Sequence, residues 1–339
     1  MAAPQIPNLN SLRNTRGTGR GRGRGGFGSI SSNEQEKATS DAIVQQTDQD
    51  ARTYVRTKAI DKLVETFVDN NPSQRKQIIS LGAGNDTRFF RLMSRQLRAN
   101  GIDYERPNLI YHELDFPENT AQKLKPVYSL SEFCGHCEPP TGFLDSTLER
   151  DTFLSKNYCV HPVDLRSLDA ALPPPCSFRT IDKELPTLII SECCLCYLTP
   201  AAADTVALYF TKHFFPDTTP LGLVLYEPIK PNDPFGKVMV SNLAARGIVL
   251  QTLRKYGSLE AQGARMKSYG FETSGGADIN TLWRKCVDEK EKERVAELEM
   301  VDEVEEWELL AGHYCVAWAW RGNEELWQGW RNMAKQMND

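Results

Sequence analysis

A glycine loop behind a short apolar run is the first place in this sequence where residue types and spacing point to ligand chemistry. The loop is Leu81-Gly82-Ala83-Gly84-Asn85-Asp86-Thr87. Glycines let a backbone turn tightly and approach a ligand closely. A dinucleotide-binding loop would have a third glycine where Thr87 stands, and a Walker loop would have a lysine. Since Asp86 would repel a pyrophosphate, the loop favours a cationic ligand. The alternative is an ordinary turn between a strand and a helix.

Carboxylates follow the next two apolar runs. Glu113 and Asp115 lie on the same side of one predicted strand, because side chains alternate along a strand. Asp115 is nearer the carboxyl end, where an acid can accept hydrogen bonds from both hydroxyls of a ribose. After the third predicted strand, Asp164 can accept from the exocyclic amine of adenine while the Leu165 N–H donates to the ring. The alternative for Glu113 and Asp115 is a solvated strand end, and the alternative for Asp164 is a simple acid in a turn.

Glu192 stands within a long apolar run, Ile189 to Leu198. A bare carboxylate is costly to bury, so Glu192 must be paired or lie at a cleft. There it can face the amino group or the sulfonium of a cationic cofactor, the alternative being a strand-end acid in solvent. Together with the acids near a ribose and an adenine, this favours S-adenosyl-L-methionine as the ligand.

The elements that must position these residues alternate between strands and helices. The predicted strands are 77–81, 109–115, 159–165, 187–197, 221–227 and 314–320. The predicted helices are 51–69, 89–97, one with Glu118 in its first turn, 201–215, two within 235–269 and one over 288–308. Such alternation predicts an α/β fold with a doubly wound, mostly parallel sheet. We expect one domain over 41–339.

The charge balance limits the partners. The 339 residues include 40 basic and 45 acidic side chains, which give a net charge of −5. This negative charge argues against a nucleic acid as the partner of the whole chain. Five arginines and many glycines in residues 1–33 predict a disordered tail over 1–40. The tail is either a dispensable terminus or a weak RNA-binding or methylation segment. No apolar stretch is long enough for a membrane span, and no secretory signal is recognisable.

The cysteines indicate a reducing compartment rather than a disulfide scaffold. There are nine of them, an odd number without a regular framework, which is typical of a cytoplasmic or nuclear protein. Cys134, His136 and Cys137 with Cys159 and His161 can be drawn as a zinc site, but a second Cys-x-x-Cys pair of that type is missing. We therefore expect no metal, a cytoplasmic location and a monomer.

Taken together, the motifs resemble the leucine carboxyl methyltransferase family in its fungal form, over about residues 51–320. They are Thr53-Tyr54-Val55-Arg56, Leu81 to Thr87, Glu113-Leu114-Asp115-Phe116-Pro117, Asp164-Leu165-Arg166, Ser191-Glu192-Cys193 through Tyr197-Leu198, Asn232 to Gly236, Leu259 to Gln262 and Glu308 to Cys315. The resemblance implies the seven-stranded S-adenosylmethionine-dependent methyltransferase fold. It also implies helical lid and substrate-binding insertions at about 41–70 and 230–310.

The resemblance further implies a substrate, the C-terminal leucine α-carboxylate of the type 2A protein phosphatase catalytic subunit, which would become a methyl ester. Six residues would contact the cofactor: Arg56 its methionyl carboxylate, Gly82 its loop side, Asp115 its ribose, Asp164 and Leu165 its adenine, and Glu192 its methionyl side. Arg166 and Tyr197 lie beside these and are the candidate catalytic residues for holding the substrate carboxylate.

One departure from the family pattern concerns the lid. Family members carry a Gly-Tyr-x-x-Asp-Pro-Tyr segment before the arginine-bearing helix, whereas here residues 46–51 lead directly into Arg52-Thr53-Tyr54. Two other functions stay open, the second of them because of this shortened lid. One is a carboxyl methyltransferase of the transfer RNA wybutosine pathway, and the other is a non-catalytic protein that binds the phosphatase.

Overall fold

The computed structural model describes residues 51–92, 108–129, 152–298 and 304–338. The predicted tail over 1–40, the shortened lid segment before residue 51 and the cysteines at 134 and 137 lie outside these ranges. In the described part of the chain, none of the helices combines the length and apolarity that crossing a membrane would need.

An eight-stranded sheet forms the centre of the molecule. Its strands are β1 Lys76–Leu81, β2 Leu109–Asp115, β3 Phe153–Leu154, β4 Tyr158–Pro162, β5 Thr187–Glu192, β6 Leu221–Pro228, β7 Thr273–Asp278 and β8 Tyr314–Arg321. The strands lie in the order β3-β4-β2-β1-β5-β6-β8-β7. From β4 to β6 all neighbours are parallel, while β8 runs antiparallel to β6 and β7, and β3 runs antiparallel to β4.

The predicted doubly wound, mostly parallel α/β sheet is confirmed, but the count of seven strands was one too few. The additional strand is the two-residue β3 at the edge of the sheet, too short to leave an alternating pattern in the sequence. The strand expected over 187–197 ends at Glu192, because the chain then turns into a 3-10 helix, Leu195–Tyr197. The strand expected over 159–165 likewise ends at Pro162.

Helices cover both faces of the sheet. They are α1 Ala51–Asp69, α2 Pro117–Ser129, α3 Pro200–Leu208, α4 Pro234–Ala245, α5 Leu259–Ser268, α6 Ile279–Cys286, α7 Glu289–Leu298, α8 Val304–Ala311 and α9 Gln328–Asn338. Residues 88–92 are also helical. Shorter 3-10 helices span Leu165–Ser167 and Cys176–Thr180, and a π-helix, Tyr209–Phe214, continues α3.

Helix α1 is fixed by the core. Its apolar side chains, including Leu63, Val64 and Phe67, are fully buried. The burial of each such side chain stabilises the fold by roughly 1.5–3 kcal/mol. The Phe67 ring stacks on Trp327 with centroids 5.2 Å apart, and Trp330 Nε1 donates to the Leu63 carbonyl at 2.9 Å. This segment falls within the region that the resemblance assigns to the lid, yet it packs on the sheet and holds Arg56 in place.

The order of strands defines where a ligand can bind. The chain proceeds from β1 outward to β2 and β4, and then returns across β1 to β5 and β6. In open α/β sheets a ligand crevice forms at such a reversal, outside the carboxyl ends of the strands. The predicted site residues lie in the loops that follow β1, β2, β4 and β5. All four loops begin at this edge of the sheet.

Candidate active site

The loop after β1 is held against both neighbouring strands. Gly82 and Gly84 have positive φ angles of 63° and 47°, which favour glycine. The Gly82 N–H donates to the Leu114 carbonyl at 2.7 Å. A Cβ on Gly82 would lie 2.5 Å from Cys194 Sγ in the loop after β5, whereas a Cβ on Gly84 would meet nothing nearer than 4.0 Å. The loop is therefore closely packed at Gly82 and leaves open space over Gly84.

Asp115 joins that loop to the end of β2. One carboxylate oxygen, Oδ2, accepts from the Gly84 N–H at 2.6 Å, and Oδ1 accepts from the Phe116 N–H and from Asn119 Nδ2, both at 2.7 Å. The carboxylate is thus fixed at the strand end with lone-pair capacity left on Oδ2. A ribose hydroxyl can donate to this oxygen, and the ribose role of Asp115 stays a prediction.

Glu113, two residues earlier, has a different environment. It is buried, with Lys123 Nζ at 2.5 Å and the Tyr158 hydroxyl donating to it at 2.9 Å. Burial raises the pKa of Glu113 to about 7, against the opposing effect of Lys123. Glu113 therefore ties α2 to the sheet, while Asp115 faces the crevice.

Three arginines and three carboxylates form an ion cluster beside the glycine loop: Arg56, Arg88, Arg91, Asp61, Asp86 and Glu192. Arg88 is at its centre, with Nε 2.8 Å from Asp61, one terminal nitrogen 2.6 Å from Asp86 and the other 3.1 Å from Glu192. Arg91 also pairs with Asp61. Burial opposes the charge of Arg88, but the carboxylates prevail and raise its pKa well above the usual range. With equal numbers of both charges, the cluster can stay ionised in a buried place.

Sequence reasoning missed Arg88. The residue stands at the start of the helical segment 88–92, where the helix dipole disfavours a cation. An arginine at that point, directly after Asp86-Thr87, was the available indication that a carboxylate partner is near. Asp86 is two residues away, but the other two partners, Asp61 and Glu192, lie 27 and 104 residues away along the chain, so only the fold reveals them.

Arg56 and Glu192 meet at the end of β5, and their shared role at the methionyl end of the cofactor stays a prediction. Arg56 Nε lies 2.7 Å from Glu192 Oε1, and the Arg56 side chain keeps 31% of its surface exposed. The guanidinium also lies over the Tyr226 ring, 5.4 Å from its centroid. Burial is the largest single effect and opposes the charge, but Glu192 and the weaker contributions of its neighbours together outweigh burial and raise the pKa of Arg56. Arg56 is thus a permanent cation with surface left for a second carboxylate.

Asp164 and Arg166 form a pair of their own at the end of β4. Asp164 caps the 3-10 helix Leu165–Ser167 by accepting from the Arg166 N–H at 2.9 Å, and the Arg166 guanidinium binds both carboxylate oxygens at 2.6 to 3.1 Å. These hydrogen bonds lower the pKa of Asp164. The Arg166 guanidinium lies 5.5 Å from the centroid of the Phe116 ring, and Leu165 beside it is buried.

Tyr197 lies at the other end of the row. It closes the 3-10 helix Leu195–Tyr197 and is half-buried, and burial raises its pKa so that it stays a neutral phenol. The strands that lead to Tyr197 and Arg166, β5 and β4, are three positions apart in the sheet, about 14 Å at the usual strand spacing. The two candidate catalytic residues therefore belong to opposite ends of the site.

The site residues follow one another along the sheet edge in a consistent order. Across β4, β2, β1 and β5, the groups are Asp164 with Leu165, then Asp115, then the glycine loop, then Glu192 with Arg56. The sequence prediction assigned these groups to adenine, ribose, cofactor loop and methionyl side. Adenine, ribose and methionyl group follow one another in the same order in S-adenosyl-L-methionine, and the role of each residue stays a prediction.

A buried trio with metal-binding side chains lies farther from the edge. Donor atoms of His112, Cys159 and His161 are within 4.8 Å of one another. His112 Nδ1 and His161 Nε2 are 3.0 Å apart and share a hydrogen bond, and the Cys159 thiol donates to the Ser155 carbonyl at 3.3 Å. Burial lowers the pKa of both imidazoles, that of His161 to about 3. These contacts account for the trio as neutral core groups.

Comparison with known proteins identifies the family. The leucine carboxyl methyltransferase model matches residues 21–210. The chain is 43% identical to leucine carboxyl methyltransferase 1 of Aspergillus fumigatus, with all of both chains covered, and 43% identical to the enzyme of that name from Emericella nidulans, with 99% of each covered. The chain belongs to the leucine carboxyl methyltransferase family.

Every residue predicted for the site, from Arg56 to Tyr197, lies within the range that the leucine carboxyl methyltransferase model matches. The alignment with the Aspergillus fumigatus relative runs over 411 positions, whereas this chain has 339 residues. At 72 positions of the alignment the relative therefore has a residue and this chain has none. A rat protein, tRNA wybutosine-synthesizing protein 4, is 33% identical over 80% of this chain, which spans 38% of that protein.

Proposed function

We propose that this leucine carboxyl methyltransferase family member transfers a methyl group from S-adenosyl-L-methionine to the C-terminal leucine α-carboxylate of the type 2A protein phosphatase catalytic subunit. The observation that carries the proposal is the order of groups along the sheet edge: Asp164, Asp115, the glycine loop and Glu192. The names of the full-length relatives support the leucine carboxylate as substrate.

The residues at this edge suit a cationic nucleoside with an amino-acid end. Asp115 is fixed by three donors at the strand end, and the space over Gly84 is open. Glu192 offers a carboxylate to the amino group, while the exposed part of Arg56 offers a cation to the carboxylate of the same end. When bound, the cofactor supplies the methyl group carried on its sulfonium.

The chemistry places modest demands on the protein. An α-carboxyl group has a pKa of about 3.5 and is ionised at neutral pH, so the reaction needs no general base. The protein must remove water from the carboxylate and orient it. Tyr197, kept neutral by burial, can donate one hydrogen bond to a carboxylate oxygen without quenching its charge.

The test is methyl transfer from radiolabelled cofactor to intact phosphatase. We expect alkali-labile label on the complete catalytic subunit and none on a subunit that lacks its terminal leucine. Label on the truncated subunit, or on transfer RNA in place of protein, contradicts the proposal. Cofactor binding with no transfer to any of these substrates indicates a non-catalytic phosphatase-binding protein.

Arg166 provides a second test within this function. If it holds the substrate carboxylate, Arg166→Ala lowers kcat/KM for the phosphatase and leaves the Kd for the cofactor nearly unchanged. If its bidentate bond to Asp164 orients that acid toward adenine, the same variant raises the Kd for the cofactor. Calorimetry and the transfer assay on one preparation separate the two roles.

A further inference from the structure

The turn after β5 that carries Tyr197 is held from two sides. Its 3-10 helix, Leu195–Tyr197, directly follows Cys194, whose side chain lies against Gly82 of the glycine loop. On the other side, the segment 246–258, which joins α4 to α5, reaches the end of the same 3-10 helix. The first two residues of this helix are fully buried, whereas Tyr197 is half-buried. Of the three, Tyr197 is therefore the one that a ligand can reach.

Gln251 makes the contact from the second side. Its backbone N–H donates to the Cys196 carbonyl at 2.8 Å, and its side-chain Nε2 donates to the Tyr197 carbonyl at 2.5 Å. A carbonyl can only accept, so the amide nitrogen of the glutamine must face it. The last carbonyls of a helix have no partner within the helix and need one from outside. Gln251 thus fixes the main chain of a residue that lies 54 positions earlier.

The segment 246–258 is anchored by buried polar groups, although Gln251 itself is exposed. Thr252, the next residue, is buried, and its hydroxyl donates to the Glu227 carboxylate at 3.4 Å. Glu227 is also buried and pairs with Arg265 Nη1 of α5 at 2.8 Å. Displacing either member of a buried ion pair leaves an uncompensated charge, which is costly. The ion pair therefore gives the exposed glutamine a rigid base.

A second anchor joins this segment to α3, which begins three residues after Tyr197. The Tyr256 hydroxyl donates to the Asp204 carboxylate of α3 at 2.7 Å. The Arg265 guanidinium lies over the Tyr256 ring, 4.2 Å from its centroid. The helix that follows Tyr197 and the segment that carries Gln251 are therefore fixed to each other at a second point.

We propose that Gln251 is a positioning residue, which sets Tyr197 for donation to the substrate carboxylate by holding the main chain of the turn after β5. The catalytic consequence rests on the function proposed above. A displacement of about 1 Å in a reacting arrangement can lower a rate about 100-fold. Gln251 holds the carbonyl of Tyr197 and not its hydroxyl, so loss of this contact shifts the phenol without removing it.

The experiment measures steady-state methyl transfer to intact phosphatase. Gln251→Glu keeps the size of the side chain but places an acceptor against the Tyr197 carbonyl, so we expect kcat to fall about tenfold or more. The Kd for the cofactor, measured by calorimetry, should stay nearly unchanged. Gln251→Lys keeps a donor and should restore most of kcat. Gln328→Glu is the same exchange at an exposed glutamine of α9 and should behave like the natural sequence.

A double-mutant cycle shows whether Gln251 acts through the phenol. Tyr197→Phe removes only the hydroxyl, and its kcat is compared with that of Tyr197→Phe combined with Gln251→Glu. If Gln251 serves to position this hydroxyl, the second substitution should add almost nothing to the loss of the first. If the two losses multiply, Gln251 has only a structural role and the inference is overturned.

Hydrogen–deuterium exchange tests the contact without any substrate. The Tyr197 N–H is bonded to the Cys194 carbonyl at 3.2 Å and the Leu198 N–H to the Leu195 carbonyl at 3.1 Å. Both amides should exchange at least about tenfold faster in Gln251→Glu, while those of β6 stay unchanged. Unchanged exchange, or unchanged kcat, overturns the inference. If the natural sequence transfers no methyl group while the exchange responds, the contact stands, and the proposed function is refuted together with its catalytic consequence.

Discussion

Replacing Gly82 by alanine tests how the glycine loop is built, because two separate costs meet at this residue. Its φ of 63° costs an L-residue roughly 1–2 kcal/mol. The new Cβ would also lie 2.5 Å from Cys194 Sγ and 2.8 Å from Cys194 Cβ. Overpacking of this kind costs about 1–3 kcal/mol. We therefore expect Gly82→Ala to lower the free energy of unfolding by about 2–5 kcal/mol.

Gly84→Ala is the matched control. Gly84 has a φ of 47°, so it carries the same backbone cost, but its Cβ would meet nothing nearer than 4.0 Å. Urea denaturation should therefore show a loss of only about 1–2 kcal/mol. The ranking should reverse for ligand binding, because a methyl group on Gly84 fills the space proposed for the cofactor. Titration calorimetry measures this second effect.

A double-mutant cycle isolates the contact between the two loops. Cys194→Gly removes both atoms that the Gly82→Ala methyl would strike, so the pair should show a favourable coupling energy of about 1–3 kcal/mol. If Gly82→Ala and Gly84→Ala destabilise equally, or if the coupling energy is near zero, the loops are not in contact and the reasoning is refuted.

Three further predictions concern buried charge. Arg88→Met should lower the free energy of unfolding by about 3–5 kcal/mol, measured in urea, because it leaves buried carboxylates without their counter-charge. Asp115→Ala should raise the cofactor Kd about tenfold or more in calorimetry, because the Gly84 N–H loses a charged acceptor. The third follows stability against pH in thermal or urea melts. With its pKa lowered to about 3, His161 stays neutral in the native state, so between pH 6.5 and 5 it should cost the protein about 2 kcal/mol of stability. Glu113, with its pKa raised to about 7, contributes stability that is lost as the pH rises from about 4.5 to 7. His161→Gln should therefore flatten the acid loss and Glu113→Gln should steepen it.

Each of these has an outcome that contradicts it. Arg294→Met is the control for Arg88→Met, because it removes an exposed ion pair and should change the free energy of unfolding by less than about 1 kcal/mol. If Arg88→Met has an equally small effect, Arg88 does not stabilise the buried ion cluster. Unchanged affinity in Asp115→Ala, with the exposed Asp169→Ala as control, removes Asp115 from the cofactor site. Parallel pH profiles for His161→Gln and Glu113→Gln contradict the shifted pKa values of these two side chains.

Much of the fold was determined by local pattern alone. Continuous apolar runs predicted the central strands, because parallel strands covered on both faces need apolar side chains at every position. The strand β7 was missed because its sequence, Thr-Ser-Gly-Gly-Ala-Asp, has no apolar alternation. It forms because β8 offers it an edge, a condition that lies some forty residues farther along the chain.

The sequence by itself determined which carboxylates and glycines stand at the strand ends, because their order along the chain and the alternation of strands are local facts. Only the tertiary structure decided what those residues do. It separated Glu113, buried against Lys123, from Asp115 at the crevice. It brought Arg88 to Glu192 across 104 residues and joined Arg166 to Asp164 rather than to Tyr197. Charges select partners by distance in space, and the folded sheet sets those distances.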